Sequence, residues 1–332
     1  MLTTKFPWLK SAIDQYPPTQ FPSSLIIEGA NGLAKRHLAF YYAKQLLCFS
    51  SPNTCKGCNS CTYLEAGSHP DYCFLSAESC SSALHALSKE KKESLVSKKI
   101  DGILALNDFM SRTNAVSLNR VGVIFDSHTM NLNSQNALLK TLEDLPENKF
   151  IIIVSNKRKC FLPTIYSRSS ILSINNPSAT ELNTWINDQG YIGHSILNFA
   201  PESSPLEIES MINNNNVGQY QEITSLLDSY FAGRIDLSVV IKTLKELNLS
   251  YEDKINSLVE FLKTCLGIAT NYYKHHPLIG VFNDKALNHI AVSDLIGEII
   301  DYKASFIKVP SLNEQIGLSY FFLKAKKTFI TK

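Results

Sequence analysis

Apolar residues fall along the first half of this chain in two alternating rhythms. Short unbroken runs, Ser24-Leu25-Ile26-Ile27-Glu28, Asp71-Tyr72-Cys73-Phe74-Leu75, Val121-Gly122-Val123-Ile124-Phe125-Asp126 and Phe150-Ile151-Ile152-Ile153-Val154-Ser155, are bounded by turn residues. Runs without polar alternation predict strands buried on both faces, as in a parallel sheet covered by helices. Between them lie amphipathic stretches. One runs from Lys35 to Leu47, and another sets Leu138, Leu142 and Leu145 on one stripe before Pro146 ends it. Asn131 or Asn133 can cap this second helix. A further helical period begins at Ile100 and continues through Ile103, Leu104 and Phe109. The alternation predicts an α/β domain over residues 1–174.

A strand-like run, Ile171-Leu172-Ser173-Ile174, closes that half. Beyond Asn175-Asn176-Pro177 the period turns helical from Ser178. Asn213-Asn214-Asn215-Asn216 interrupts it, because asparagine side chains compete with the backbone and do not propagate a helix. The pattern predicts a small helical domain over 175–212 and a larger all-helical one over 213–332. Helical spacing in the latter covers Ile223–Phe231, Leu237–Leu247, Asp253–Tyr273, Ala286–Phe306 and Leu312–Lys327. Ser76 to Lys99 differs, being serine-rich and then lysine-rich, and predicts an exposed, mobile excursion.

Composition narrows the function more than the fold. With 332 residues and 44% hydrophobic content the chain can bury a sizeable core. Its formal charge is +2, from 32 basic and 30 acidic residues, so no global field holds it to nucleic acid or to an acidic membrane. It contains no apolar run long enough to span a bilayer, and its first residues lack the apolar stretch of a secretory signal. A cytosolic location is therefore expected. In that reducing compartment Cys48, Cys55, Cys58 and Cys61, crowded into one short stretch, point to metal ligation rather than disulfides. Cys73, Cys80, Cys160 and Cys265 are scattered and read as incidental.

Three further stretches carry candidate chemistry. Gly29-Ala30-Asn31-Gly32-Leu33-Ala34-Lys35-Arg36 lies between a predicted strand and a predicted helix, the context of a phosphate-binding loop. A working loop needs glycine before the lysine and Ser or Thr after it to hold magnesium. Here Ala34 and Arg36 stand at those positions, and a plain turn into a helix is the competing reading. Asp126 closes a strand where an ATPase places a magnesium-orienting aspartate, but Ser127 follows it in place of the carboxylate that would polarise water. The third stretch, Leu162-Pro163-Thr164-Ile165-Tyr166-Ser167-Arg168-Ser169, puts an arginine near the end of the α/β half. Such an arginine is ordinarily a solvated surface residue, yet a guanidinium also suits charge developing on a γ-phosphate.

For the cysteines, the two-residue gaps Cys55-x2-Cys58-x2-Cys61 let three sulfurs turn inward on one tight loop, and Cys48 can close a tetrahedral site for structural Zn²⁺. An iron-sulfur cluster matches the same ligand count, and His69 is an alternative ligand.

Together these stretches resemble bacterial clamp-loader subunits. The resemblance rests on Leu25 to Gly29, the cysteine loop, Ala66-Gly67-Ser68-His69-Pro70-Asp71, Asn136 to Asp144 and Leu162 to Ser169, in that order, and covers roughly residues 5 to 175. Asn313 and Ile316 to Tyr320 are similar to the family's last collar helix. The loop resembles that of the family's non-motor subunits rather than of its tau/gamma motors. The resemblance implies an AAA+ fold: a P-loop-type parallel sheet domain with a zinc module near residues 48–61, a helical lid and a helical collar that joins a ring of five subunits. It implies that Gly29, Gly32 and Lys35 form a degenerate loop that does not hydrolyse ATP, and that Ser167 and Arg168 supply an arginine finger in trans. Ser169 replaces the cysteine that ends the family's usual triplet. Implied partners are tau/gamma motor subunits, a delta subunit and, through the complex, the sliding clamp and primer-template DNA, with no membrane. The alternatives are an active motor ATPase and a zinc-dependent nucleic-acid-binding module.

Overall fold

The structure, a computed structural model, describes residues 2–50, 55, 57–76, 100–247, 249–269, 276, 279–283, 285–308 and 314–331. The serine- and lysine-rich excursion lies outside the described residues from 77 onward, as do Cys80 and Asn313. The chain forms two compact units, Met1–Glu181 with Ser204–Leu206, and Leu182–Ser203 with Glu207–Lys332.

The first unit is built on β1 (Ser24–Glu28), β2 (Tyr72–Leu75), β3 (Arg120–Ile124), β4 (Lys149–Ser155) and β5 (Ser170–Ser173). They form one parallel sheet in the order β2-β3-β4-β1-β5. The helices that bear on the candidate sites are α1 (Lys35–Leu47), α2 (Asn59–Glu65), α3 (Ile100–Ser111), α4 (Leu132–Glu143) and α5 (Pro163–Ser167). Alternate strand residues enter opposite cores. Leu25, Ile27, Val121, Val123, Ile152 and Val154 join Leu38, Ala39 and Tyr42 of α1, while Ile26, Ile124, Ile151 and Ile153 join Leu106 of α3 and Leu138 of α4. Both faces are dry, which is why the strand sequences carry no polar alternation. A Cβ on Gly122 would lie 2.7 Å from Leu106 Cδ1, so the glycine lets α3 settle directly on the sheet. Of the two candidate caps for α4, the structure uses Asn131, whose side chain accepts the Ser134 N–H at 2.8 Å.

The rest of the chain is mainly helical: α6 (Ala179–Asp188), α7 (Pro205–Asn213), α8 (Val217–Ala232), α9 (Leu237–Glu246), α10 (Tyr251–Ala269), α11 (His289–Lys308) and α12 (Glu314–Lys326). The asparagine run breaks it as expected. α7 stops at Asn213, Asn215 takes a left-handed φ of 56°, and α8 starts after Asn216. Within the second unit Phe231 anchors the core, stacking on Phe261 at 5.3 Å and Phe329 at 4.8 Å between ring centroids. One expectation is corrected here. Ala286 lies not in a helix but in β6 (Lys285–Leu287), which pairs antiparallel with β7 (Phe329–Thr331), and α11 begins only at His289. Strands this short hold too few residues to display a period of two.

Candidate functional site

The cysteine set is assembled at the junction of α1 and α2. Cys48 follows the last residue of α1, Cys58 is the N-cap of α2, and Cys61 lies inside that helix. The expectation of three sulfurs on one tight loop is thus corrected: Cys61 is presented by the first turn of a helix, one turn beyond Cys58. The four Sγ atoms lie within 4.8 Å of one another, with Cys48 to Cys58 and Cys55 to Cys61 both at 3.9 Å. Four thiolates about 2.3 Å from a single tetrahedral Zn²⁺ stand about 3.8 Å apart, so the spacing fits one ion. A cluster of several irons would hold the sulfurs farther apart.

The local backbone prepares these groups for a cation. The Cys58 N–H donates to Cys55 Sγ at 3.3 Å, and with the Gly57 N–H it draws the Cys55 thiol below its ordinary value. At Cys58 burial works upward, but the N–H groups of Cys61 and Phe49 outweigh it and bring the thiol to about 6. Burial pushes Cys48 and Cys61 up. A bound cation favours the thiolate form of all four, because only the thiolate ligates.

His69 is not among the donors. Its Nδ1 accepts the Asp71 N–H at 3.0 Å, which leaves Nε2 to carry the proton toward Ser60 Oγ at 2.8 Å and Ser117 Oγ at 3.1 Å. Burial lowers its pKa, so the ring is held neutral. The Ser60 and Ser117 hydroxyls both donate to the Leu47 carbonyl, at 2.6 and 3.0 Å, which fixes the residue just before Cys48. Asp71, fully buried, accepts N–H bonds from Ala115, Val116 and Ser117 at 2.7 to 2.8 Å and pairs with Arg120 at 2.8 Å. Burial alone would raise its pKa, but these three N–H donors and the Arg120 guanidinium hold the carboxyl below its ordinary value. The His69-Pro70-Asp71 stretch is therefore a brace under the cysteine site. The stretch is visible in the sequence, but the partners of Asp71 sit 44 to 49 residues away and leave no local signal.

The phosphate-type loop is filled by groups of the chain itself. A Cβ on Gly29 would meet the Ile174 carbonyl at 2.5 Å, and one on Gly32, where φ is +72°, would meet Ser204 Oγ at 1.9 Å. The Leu206 N–H donates to the Gly32 carbonyl at 3.2 Å, so Ser204–Leu206 lies on the loop. Ala34 takes the left-handed conformation that a glycine would adopt without cost, at φ 60° and ψ 24°. Lys35 is 4% exposed, and its ammonium donates to the Ala30 carbonyl. Burial draws its pKa down to about 8, against the pull of Asp126. Arg36 Nη2 pairs with Asp126 Oδ2 at 2.6 Å. The Ser127 hydroxyl is buried and donates to the Val154 carbonyl at 2.8 Å. A guanidinium thus meets the aspartate, and the serine faces the sheet.

Arg168 caps α5 at its C-terminal end. Its Nη2 pairs with Glu143 Oε1 at 2.7 Å, and its Nη1 donates to the Thr164 carbonyl and the Ser167 hydroxyl, each at 3.3 Å. The side chain is 36% exposed. Glu143 ends α4, within the Asn136 to Asp144 stretch of the family resemblance, and residue type alone points to no role for it.

Comparison with known proteins follows the same lines. Residues 8–178 match the family described as DNA polymerase III, delta subunit. DNA polymerase III subunit delta′ of Pseudomonas aeruginosa is 28% identical over 184 residues, 54% of this chain and 52% of that protein. The protein of the same name from Buchnera aphidicola (subsp. Schizaphis graminum) is 22% identical over 333 residues, 94% of each chain. The chain thus aligns with about half the length of the first relative and nearly all of the second. Among solved structures, a DNA polymerase III gamma subunit-related protein from Thermotoga maritima shares the fold, with a TM-score of 0.50, 13% identity and coverage of 98% of this chain and 99% of that one.

Proposed function

The chain belongs to the DNA polymerase III delta-subunit family, among the chains named delta prime, and from that membership we propose that it is a non-hydrolysing scaffold of a bacterial sliding-clamp loader. In this reading residues 1–174 form a nucleotide-binding-like domain of the AAA+ type, 175–212 a lid and 213–332 a collar that joins the ring. Its partners are tau/gamma motor subunits and a delta subunit, and through them the sliding clamp and primer-template DNA. The observation that carries the reading is the Arg36–Asp126 pair at 2.6 Å. Arginine offers magnesium no oxygen and places a positive charge where the metal's charge would be. Gly29, Gly32 and Lys35 keep the loop's shape, with Lys35 turned onto Ala30. Cys48, Cys55, Cys58 and Cys61 hold a structural Zn²⁺, which links the ends of α1 and α2 and stabilises the module. No helix among the described residues is long and apolar enough to cross a membrane, in keeping with a cytosolic role at the replication fork.

Arg168, with Ser167 beside it, reaches the ATP of an adjacent motor subunit. Charge shifting onto phosphate oxygens in the transition state is stabilised by a guanidinium, and a principal finger is typically worth about 10³ to 10⁵ in rate. The loss expected here is smaller, because a ring with several motor sites loses one finger. The test has two arms. The isolated chain should show no magnesium-dependent ATP turnover; steady hydrolysis abolished by Lys35→Ala would make it a motor instead. In the reconstituted complex, Arg168→Ala should assemble normally but slow DNA- and clamp-stimulated hydrolysis, with Arg168→Lys a poor rescue because lysine lacks the planar fork. Wild-type hydrolysis by the alanine complex would return Arg168 to an ordinary surface residue.

A further inference from the structure

The contacts around Arg168 assign work to a residue outside the loop and the cysteine set. An arginine side chain is long and flexible, and an unrestrained one loses much rotamer freedom when it engages a partner. Here the freedom is already restricted. Glu143 Oε1 holds Nη2 at 2.7 Å, and the Thr164 carbonyl and Ser167 hydroxyl hold Nη1 at 3.3 Å, so three of five N–H donors are engaged within the chain. The Ser167 hydroxyl is itself fixed, donating to the Thr164 carbonyl at 3.0 Å. The Nε–H has no partner among the described residues. Arg168 and Glu143 are 36% and 47% exposed, so an outside acceptor can reach the guanidinium without unpacking the core. Glu143 ends α4, whose Leu138 and Leu142 are buried against the sheet, so its carboxylate is carried by a firmly seated element.

We propose that Glu143 is a positioning residue for Arg168: its carboxylate holds one end of the guanidinium so that the remaining N–H groups are presented, already oriented, to the triphosphate of a neighbouring ATPase subunit. The inference rests on the trans role of Arg168 proposed above. A single half-exposed carboxylate is a weaker partner than a polyanionic phosphate, so the pair orients the guanidinium without holding it back. The benefit is pre-organisation: the side chain is ordered before the phosphate arrives.

The test is a double-mutant cycle in the reconstituted complex, reading DNA- and clamp-stimulated ATP hydrolysis. Glu143→Ala should lower kcat by about two- to fivefold, the range available to an exposed ion pair, with the KM for ATP little changed. Glu143→Gln, which keeps an acceptor oxygen at the same reach, should fall between alanine and wild type. Adding Glu143→Ala to Arg168→Ala should cost nothing further, because the glutamate then has no finger to position, whereas a purely structural role would slow both backgrounds alike. A slow Arg168→Ala complex beside a wild-type or faster Glu143→Ala complex overturns the positioning role and leaves the finger standing. A wild-type Arg168→Ala complex overturns both.

Discussion

The cysteine site and the phosphate-type loop both sit at an end of α1, and they show opposite relations between sequence and use. At the C-terminal end four thiols converge to within 4.8 Å of one another, while the nearby Lys44 is already paired with Glu65 at 2.6 Å. At the N-terminal end the loop's polar groups are met from within, Arg36 by the charge of Asp126 and Lys35 by a hydrogen bond to a carbonyl. The difference teaches two ways in which polar groups at a helix end are settled. Around the loop a left-handed turn at Ala34 leads into α1, and the Arg36 guanidinium occupies the Asp126 carboxylate. Donors that converge with no counter-charge among them leave room for a cation; groups that pair with one another do not.

The largest effect should come from removing the metal. Chelation, or Cys58→Ser, should lower the melting temperature by about 10 °C or more, since structural zinc contributes many kcal/mol of apparent binding energy that is also folding energy. Elemental analysis should find about one zinc per chain. Unchanged melting with no metal present would erase the contrast between the two ends of α1.

Next comes the brace. Arg120→Ala leaves Asp71 buried beside a lost partner and should cost about 3 kcal/mol in denaturant unfolding, the usual range for breaking a buried pair. The same carboxyl gives a pH signature. Its folded pKa is depressed, so its contribution is fully present above the unfolded value of about 3.9 and is lost as pH falls through the depressed value. Asp71→Asn should flatten that acid limb; an acid limb as steep as in wild type would assign the transition to other carboxylates.

The loop should respond more mildly. Arg36→Ala removes a pair whose side chains are 28% and 15% exposed, and should cost about 1 kcal/mol, because Asp126 loses its closest cation while Asn156 still donates to it. Equal stability of the variant would mean that Asp126 is satisfied without Arg36 and that the loop is not self-filled. The smallest change runs the other way. Ala34→Gly relieves a left-handed alanine and should stabilise the chain by about 0.5 to 1 kcal/mol, measurable as a raised denaturant midpoint. A loss instead would mean that the freed unfolded chain and the lost burial of the Ala34 methyl outweigh the relief.

Much of this was legible in the chain itself, and the boundaries show why. α1 begins and ends where the apolar period does, and β1 spans the run read as a strand, because both signals reside in residues a few positions apart. The same holds for the missing hydroxyl at Arg36 and for the crowding of Cys48 to Cys61. What escaped was either too short or too distant. β6 and β7 have three residues each, and their partners lie more than forty residues apart in the chain. The helix that carries Cys61 escaped because a metal-ligand spacing describes loops and helical turns equally well.

The sequence by itself determined the alternation of strand and helix, the crowding of four thiols, and the presence of a guanidinium at Arg36 and a hydroxyl rather than a carboxylate at Ser127, since each depends on residue type and near neighbours. Only the tertiary structure decided what takes the place of the missing groups. Arg36 meets Asp126 across 90 residues, Ser204 comes down on Gly32, and Glu143 of α4 reaches Arg168 at the end of α5. The first of these meetings follows from the order β2-β3-β4-β1-β5, which sets the ends of the parallel β1 and β3 on one edge of the sheet, only β4 apart. A hydrophobic period encodes which face of a strand is buried and says nothing about which strand lies next to it, so such contacts are settled by packing alone.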